Sequence, residues 1–157
     1  MIKNFKLFEA NERNEELFNE FLKDYNDFYK NQPFPNSYYK GNKNKAIRYN
    51  IPDIFFDDYL ILEYYYKLYS NWRPAEKEIV KKTLKKYVVN SVSQKFEKDP
   101  NSYVELKSMI DKRKNFSNIN SFEYIFNTSM KYTWMLFNTA IRNAPKWIAD
   151  ANDKYNL

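Results

Sequence analysis

The chain has 157 residues, of which 43% are hydrophobic and 29% charged, with a formal net charge of +6. This balance belongs to globular rather than disordered proteins, at a length suited to one domain that buries about two-thirds of its unfolded surface. It contains no Cys and no His, which excludes disulfides, thiolate or imidazole metal sites and Cys- or His-based catalysis.

A single glycine, Gly41, argues against sheets built on tight hairpins, because their turns need positive-φ positions. The expected fold is therefore all-α: an irregular helical bundle of about five or six helices with a long irregular arm. Residues 1–10 read as an N-terminal arm carrying Ile2, Phe5, Leu7 and Phe8. They lack the continuous apolar run of a secretory signal. Glu9, Glu12, Glu15 and Glu16 do not suit an acid-poor transit peptide, so no cleaved presequence is expected.

A first helix is predicted from about Glu12 to Lys30, where Leu17, Phe18, Phe21, Leu22, Tyr25 and Phe28 recur at three- and four-residue spacing. Pro33, Pro35 and Gly41 then punctuate residues 32–51, a stretch also made basic by Lys40, Lys43, Lys45 and Arg48. An extended loop lying across its own bundle or a neighbour is expected there, with disorder as the alternative, since loops of such length tend to be functional or disordered.

The densest aromatic run spans Pro52 to Trp72. Pro52 suits a first helical turn, Asp53, Asp57 and Asp58 favour the N-terminal end, and apolar residues from Ile54 to Trp72 cover nearly the whole circumference. A helix apolar all round is either surrounded by other helices or spans a membrane. Asp57, Asp58, Glu63 and Lys67 interrupt this one, so it is read as a central helix and no transmembrane segment is expected.

A third helix is predicted from near Pro74 to about Glu97, with Ile79, Val80, Leu84, Tyr87, Val88, Val92 and Phe96 inward. Lys77, Lys81 and Lys85 fall four apart with Lys82 and Lys86 alongside, giving a lysine stripe away from the core. A fourth helix follows over about Asn101 to Lys114. A fifth starts after Asn120 or Ser121 and runs to about Arg142, closing a bundle core over residues 52–142. Residues 143–157 read as a short C-terminal helix anchored by Trp147 and Ile148.

Charge is unevenly placed. Residues 1–75 carry 11 basic and 11 acidic side chains, residues 76–115 carry 11 and 6, and residues 116–157 carry 4 and 3. The basic footprint thus runs from Lys77 to Lys114. An acidic protein, an anionic membrane surface or nucleic acid would each be attracted to it.

No set of residues with convergent chemistry accompanies this footprint. Asp57 and Asp58 are adjacent, so on a helix they point about 100° apart rather than forming an acid–base pair. One glycine cannot build a phosphate loop. Oxygen-only metal binding at Asp57, Asp58 or Glu63 is the remaining option, against ordinary helix-dipole and solubility roles. A non-enzyme without cofactor or metal is expected: a structural subunit or adaptor of a larger assembly. The alternative is a small nucleic-acid-associated or phage/bacterial regulatory protein acting through the lysine-rich helix.

The run Leu68-Tyr69-Ser70, followed by a basic amphipathic helix, Phe96 and then Asp99-Pro100, resembles the mitochondrial LYR-motif proteins over residues 60–116. That family has a Leu-Tyr-Arg signature, a Phe near the end of the next helix and an Asp opening the third. Ser70 stands at the signature Arg position, with Arg73 three residues on. The resemblance implies a subunit or assembly factor of a respiratory complex on the matrix side of the inner mitochondrial membrane. It also implies an acyl carrier protein as partner, with Lys77–Lys86 facing the acidic carrier and Tyr69 and Phe96 beside its acyl chain.

Overall fold

The computed structural model describes residues 2–31, 36–114 and 128–144. Among the described residues there are six helices and no strand, so the all-α class holds. Helix α1 (Ile2–Asn26) ends in a π-helical turn, Asp27–Asn31, and α2 spans Asn36–Arg48. Helix α3 (Phe56–Tyr64) is entered through a 3-10 turn, Asp53–Phe55. It continues through a second π-helical turn, Tyr65–Tyr69, and a last turn, Ser70–Trp72. Helices α4 (Lys77–Lys98), α5 (Pro100–Lys114) and α6 (Thr128–Arg142) follow.

Two segments differ from the sequence expectation. Residues 1–10 do not form a separate arm, because α1 is helical from Ile2. No Pro or Gly interrupts the stretch up to Asn26, and a helix once nucleated propagates through good helix formers at little cost. Residues 32–51 are not an extended loop either, since Asn36–Arg48 is helical. Gly41 inside it costs only about 1 kcal/mol relative to Ala, and Pro33 and Pro35 lie ahead of the helix rather than within it. The start of the fifth predicted helix, residues 115–127, and residues 145–157 of the short C-terminal helix lie outside the described residues.

Asn50 ends α2. Its φ of 60° lies in the left-handed region, with Ile51 N donating to Ala46 O at 2.8 Å and Asn50 N to Ile47 O at 3.0 Å. This is the paired bonding of a Schellman motif, and buried Ile51 and Ala46 supply its apolar contact. Asn tolerates this conformation better than other side chains, and Gly better still. Asn50→Ala is therefore expected to cost about 1 kcal/mol in urea unfolding, and Asn50→Gly to be neutral or stabilising. Equal losses for both would show that the motif does not set the end of α2.

Helix α3 sits at the centre. The eight residues from Asp58 to Tyr65 are all buried. On one side the ring of Phe21 in α1 meets Tyr69 edge-on at 4.8 Å and Tyr64 at 5.6 Å. On another, Tyr65 donates its hydroxyl to Lys77 O at 2.6 Å while Asp58 pairs with Lys95, so α3 and α4 run antiparallel. Helix α6 is also antiparallel to α3, with Ser129 against Glu63 and Phe137 against Phe55. Tyr39 of α2 meets Phe56 at 5.6 Å. Aromatic and aliphatic side chains along this helix find partners on several sides, and from Asp58 to Tyr65 no position is left exposed. Among the described residues, no helix is long and apolar enough to cross a membrane.

The connections have local causes. Arg73 leaves the helical region, with φ −130° and ψ 62°, because Pro74 disfavours helical backbone in the residue before it. The α4–α5 junction is a capped start: Pro100 takes the first helical position and the Asp99 carboxylate accepts from Asn101 N at 3.1 Å. Val80, Leu84, Val88, Val92 and Phe96 are fully or almost fully buried at four-residue spacing and lay α4 along the core.

Candidate functional site

The four-residue periodicity of α4 leaves two flanks beside its buried stripe. Lys77, Lys81 and Lys85 occupy one; Tyr87, Ser91 and Lys95 occupy the other. Each flank builds a different feature.

On the first flank, Lys81 and Lys85 are half-buried and reach toward α6. Their ammonium groups stand 5.2 Å and 5.4 Å from the centroid of the Tyr132 ring, within the range of cation–π attraction. Tyr132 itself stacks on Tyr66 of α3, with centroids 4.4 Å apart and planes 4° from parallel. Lys82 and Lys86 are exposed beyond them on α4, and Lys131 is exposed beside Tyr132 on α6. Lys77 is half-buried, with its carbonyl holding the Tyr65 hydroxyl. Among the described residues, none of Lys77, Lys81, Lys82, Lys85 and Lys86 forms an ion pair with a carboxylate. The Tyr66 hydroxyl oxygen is buried without a hydrogen-bond partner among the described residues, and burial first, then the neighbouring tyrosines, pushes its pKa up.

The positions of the LYR-like signature lie at the far end of α3. Tyr69 is fully buried against Phe21, while Leu68 and Ser70 are half-buried, and the Ser70 hydroxyl donates to Tyr66 O at 3.4 Å. Arg73 pairs with Glu20 of α1 and approaches Asp24 at 3.6 Å, all three residues being half-buried with about a third or more of each side chain in water. Such pairs contribute at most about 1 kcal/mol. Phe96 is fully buried at the other end of the bundle, 5.3 Å from Tyr103 and 5.9 Å from Phe55. Tyr69 and Phe96 both sit in the hydrophobic core, but they share no direct ring contact among the described residues.

On the second flank lies a pocket of about 280 Å³ between α1, α3 and α4. Tyr25 and Asn26 line it from α1, Asp57, Asp58 and Ile61 from α3, and Tyr87, Ser91 and Lys95 from α4. The two adjacent aspartates separate as the helical 100° step requires: Asp57 is exposed and Asp58 is buried. The Lys95 ammonium donates to Asp58 Oδ2 at 2.5 Å and lies 5.9 Å from the Phe55 ring centroid. Burial raises the Asp58 pKa, against the opposing charge and hydrogen bond of Lys95 and a hydrogen bond from Ser91. Burial also raises the Tyr25 pKa, with further contributions from Asp57 and Asp58.

Glu63 is buried between α3 and α6, accepting from the hydroxyls of Ser129 and, at 3.4 Å, Tyr59. With Asp57, Asp58 and Glu63 thus distributed, no group of three or more metal-binding side chains forms among the described residues. Sequence reasoning did not single out Lys95, Tyr66 or Tyr132, and it placed Tyr25 only on the apolar face of the first helix. Tyr87, expected on the inward face, is instead exposed beside the buried stripe, and the partners of Tyr87, Ser91 and Lys95 lie on helices distant in sequence. No family model, no curated protein and no solved structure matches the chain.

Proposed function

We propose that the protein is a non-catalytic helical adaptor or structural subunit that docks an acidic protein on the face formed by Lys81, Lys82, Lys85, Lys86 and Tyr132. The carrying observation is the pair of half-buried ammonium groups over one tyrosine ring, backed by exposed lysines, none of which forms an ion pair with a carboxylate among the described residues. Tyr132 and its stacked neighbour Tyr66 fix the ring, and the ring in turn holds the long lysine side chains. Ordering them beforehand lowers the entropic cost of pairing with a partner's carboxylates.

The stacked ring pair also favours a second reading, nucleic-acid binding, in which aromatic rings and lysines cooperate. Tyr66 covers one face of Tyr132 and two ammonium groups crowd the ring, so little stacking surface remains for a base. Lysines alone would give sequence-independent attraction. The protein partner is therefore preferred. In its finer form the proposal follows the LYR-like resemblance, with an acyl carrier protein as the acidic partner.

The test compares wild type with the Lys81→Glu/Lys82→Glu/Lys85→Glu/Lys86→Glu variant, each purified natively from source cells. A stoichiometric acidic partner should accompany wild type, and its affinity should fall by about a hundredfold or more in the variant, since like charges now face each other. Thermal unfolding should show the variant folded. A wild-type monomer without a stoichiometric partner would overturn the adaptor reading, and equal partner affinity in both forms would overturn the docking face. Salt-sensitive binding of wild type to duplex DNA or RNA, lost in the variant, would instead establish the second reading. A stoichiometric partner other than an acyl-loaded carrier would remove the finer form.

A further inference from the structure

The pocket on the opposite flank of α4 has a charge balance that selects among ligands. Lys95 is the cation lining it, and that charge is already engaged: its ammonium lies against Asp58 at 2.5 Å and beneath it stands the Phe55 ring. Asp58 is buried and its charge is matched by Lys95. Asp57 is exposed at the rim and forms no ion pair among the described residues. One negative charge is therefore left over.

The walls are mixed: Asn26, Ser91 and the charged groups supply polar surface, and Tyr25, Tyr87 and Ile61 supply aromatic and aliphatic surface. Tyr25 of α1, Tyr87 of α4 and buried Ile61 of α3 supply the apolar part of the lining. The Tyr87 ring is braced by Phe18 at 5.3 Å and the Tyr25 ring by Tyr64 at 5.7 Å. The negative faces of tyrosine rings attract a cation, and an uncompensated carboxylate beside them adds a charge-assisted hydrogen bond. A bare divalent ion would find one uncommitted carboxylate, and no group of three metal-binding side chains forms among the described residues, short of the six or more oxygens it requires. An anion would meet the surplus charge of Asp57. The volume of about 280 Å³ accommodates a short alkyl chain with its head group.

We propose that this pocket binds a small organic cation, a primary ammonium or guanidinium on a short aliphatic chain. The cationic head lies at Asp57 between the Tyr25 and Tyr87 rings, and the chain lies on Ile61. Asp58 and Lys95 shape the floor without contributing net charge. The site is independent of the docking face, because Lys81 and Lys85 lie on the other flank of the same helix.

The experiment is a titration of the full chain with n-butylammonium and n-butylguanidinium chloride, followed by two-dimensional amide NMR. Isosteric n-butanol and butyrate serve as controls. The cations are expected to saturate one site, with shifts centred on the amides of Tyr87, Ser91 and Asp57. Butanol and butyrate should bind at least about tenfold more weakly, as should n-butylammonium to the Asp57→Asn variant, given the strength of a charged hydrogen bond. Asp57 is exposed, so this variant keeps the fold, which its amide spectrum verifies. Tyr87→Ala should weaken cation binding severalfold while leaving the butanol response unchanged. Absence of saturation, equal binding of butanol or butyrate, or unchanged affinity in Asp57→Asn would each overturn the proposal.

Discussion

Replacing Lys95 by methionine is expected to lower the unfolding free energy by about 3 kcal/mol near neutral pH, with a loss that shrinks as the pH falls. Methionine keeps most of the aliphatic stem, which lies near the Phe55 ring, so the change is mainly one of charge. It leaves the Asp58 carboxylate, whose side chain is only 4% exposed, without its counterion. Breaking a buried pair from one side costs more than the pair itself is worth, because the remaining charge stays desolvated. The lower end of the usual range applies, since Lys95 keeps 24% of its side chain in water.

The pH dependence follows from the direction in which Asp58 is already shifted. Burial raises its folded pKa above the unfolded value even with Lys95 present. The folded state therefore holds the proton more tightly than the unfolded chain. Its contribution is fully present below the unfolded pKa and is lost as pH rises through the folded value. Without Lys95 both lowering effects of that residue disappear, the folded pKa climbs further, and the window widens upward. Urea unfolding at neutral and mildly acidic pH measures the difference between wild type and Lys95→Met. The gap should narrow toward the acidic end. The double variant Asp58→Leu/Lys95→Met should recover most of the loss. A gap that stays constant with pH would mean that Asp58 is not the group left stranded.

What the sequence made legible follows from how local each cause is. The α4 stripe from Val80 to Phe96 is a five-member series at spacing four, and it is buried as that series implies. Asp99-Pro100 marks a helix start because capping acts within three residues. The buried positions of α2 escaped notice because they include Asn42 and Ala46, one polar and one small. No hydrophobic period is written there, and the end of the helix rests on the backbone conformation of Asn50. The N-terminal turns of α1 were missed for a different reason. Apolar tips at Ile2, Phe5, Leu7 and Phe8 read as a docking arm, whereas uninterrupted helix propensity carries the helix through them.

The sites were less legible than the fold, because each joins helices far apart in the chain. Tyr132 lies 51 and 47 positions from Lys81 and Lys85, and Lys95 lies 37 from Asp58. A period within one helix names the flank on which a side chain stands; only packing names its neighbour. The lysine stripe illustrates this. Its spacing placed Lys77, Lys81 and Lys85 on one flank, but the capture of Lys81 and Lys85 by an α6 tyrosine depends on α6 lying alongside. The π-helical turn Tyr65–Tyr69 adds a residue to one turn of α3. It thereby changes the facing of every side chain after it, including Tyr69 and Arg73, in a way that 3.6-residue periodicity does not anticipate.

Truncating Phe96 to alanine is expected to cost about 3–5 kcal/mol, a loss at least as large as that from Lys95→Met. Its ring is fully buried near the C-terminal end of α4. It meets Phe55 edge-on at 5.9 Å and Tyr103 at 5.3 Å, so one side chain ties the entry to α3 and the start of α5 to the same point. Removal takes away the transfer free energy of the ring and two aromatic contacts of about 0.5–1.5 kcal/mol each, and it leaves a cavity that three helices must close together. Phe96→Leu retains much of the volume and should cost less than half as much. For a chain of this size the alanine variant should melt about 6–20 °C below wild type. A drop of only 2–3 °C would mean that the helices collapse readily into the space. The same variant separates a supporting role for Phe96 from direct contact with a partner. The face bearing Lys81, Lys82, Lys85 and Lys86 stands about three to four turns away along α4, so partner affinity measured well below the melting temperature should be retained. Loss of binding in a fully folded Phe96→Ala protein would place the Phe96 side chain in the partner's path, as the LYR-like reading of this position implies.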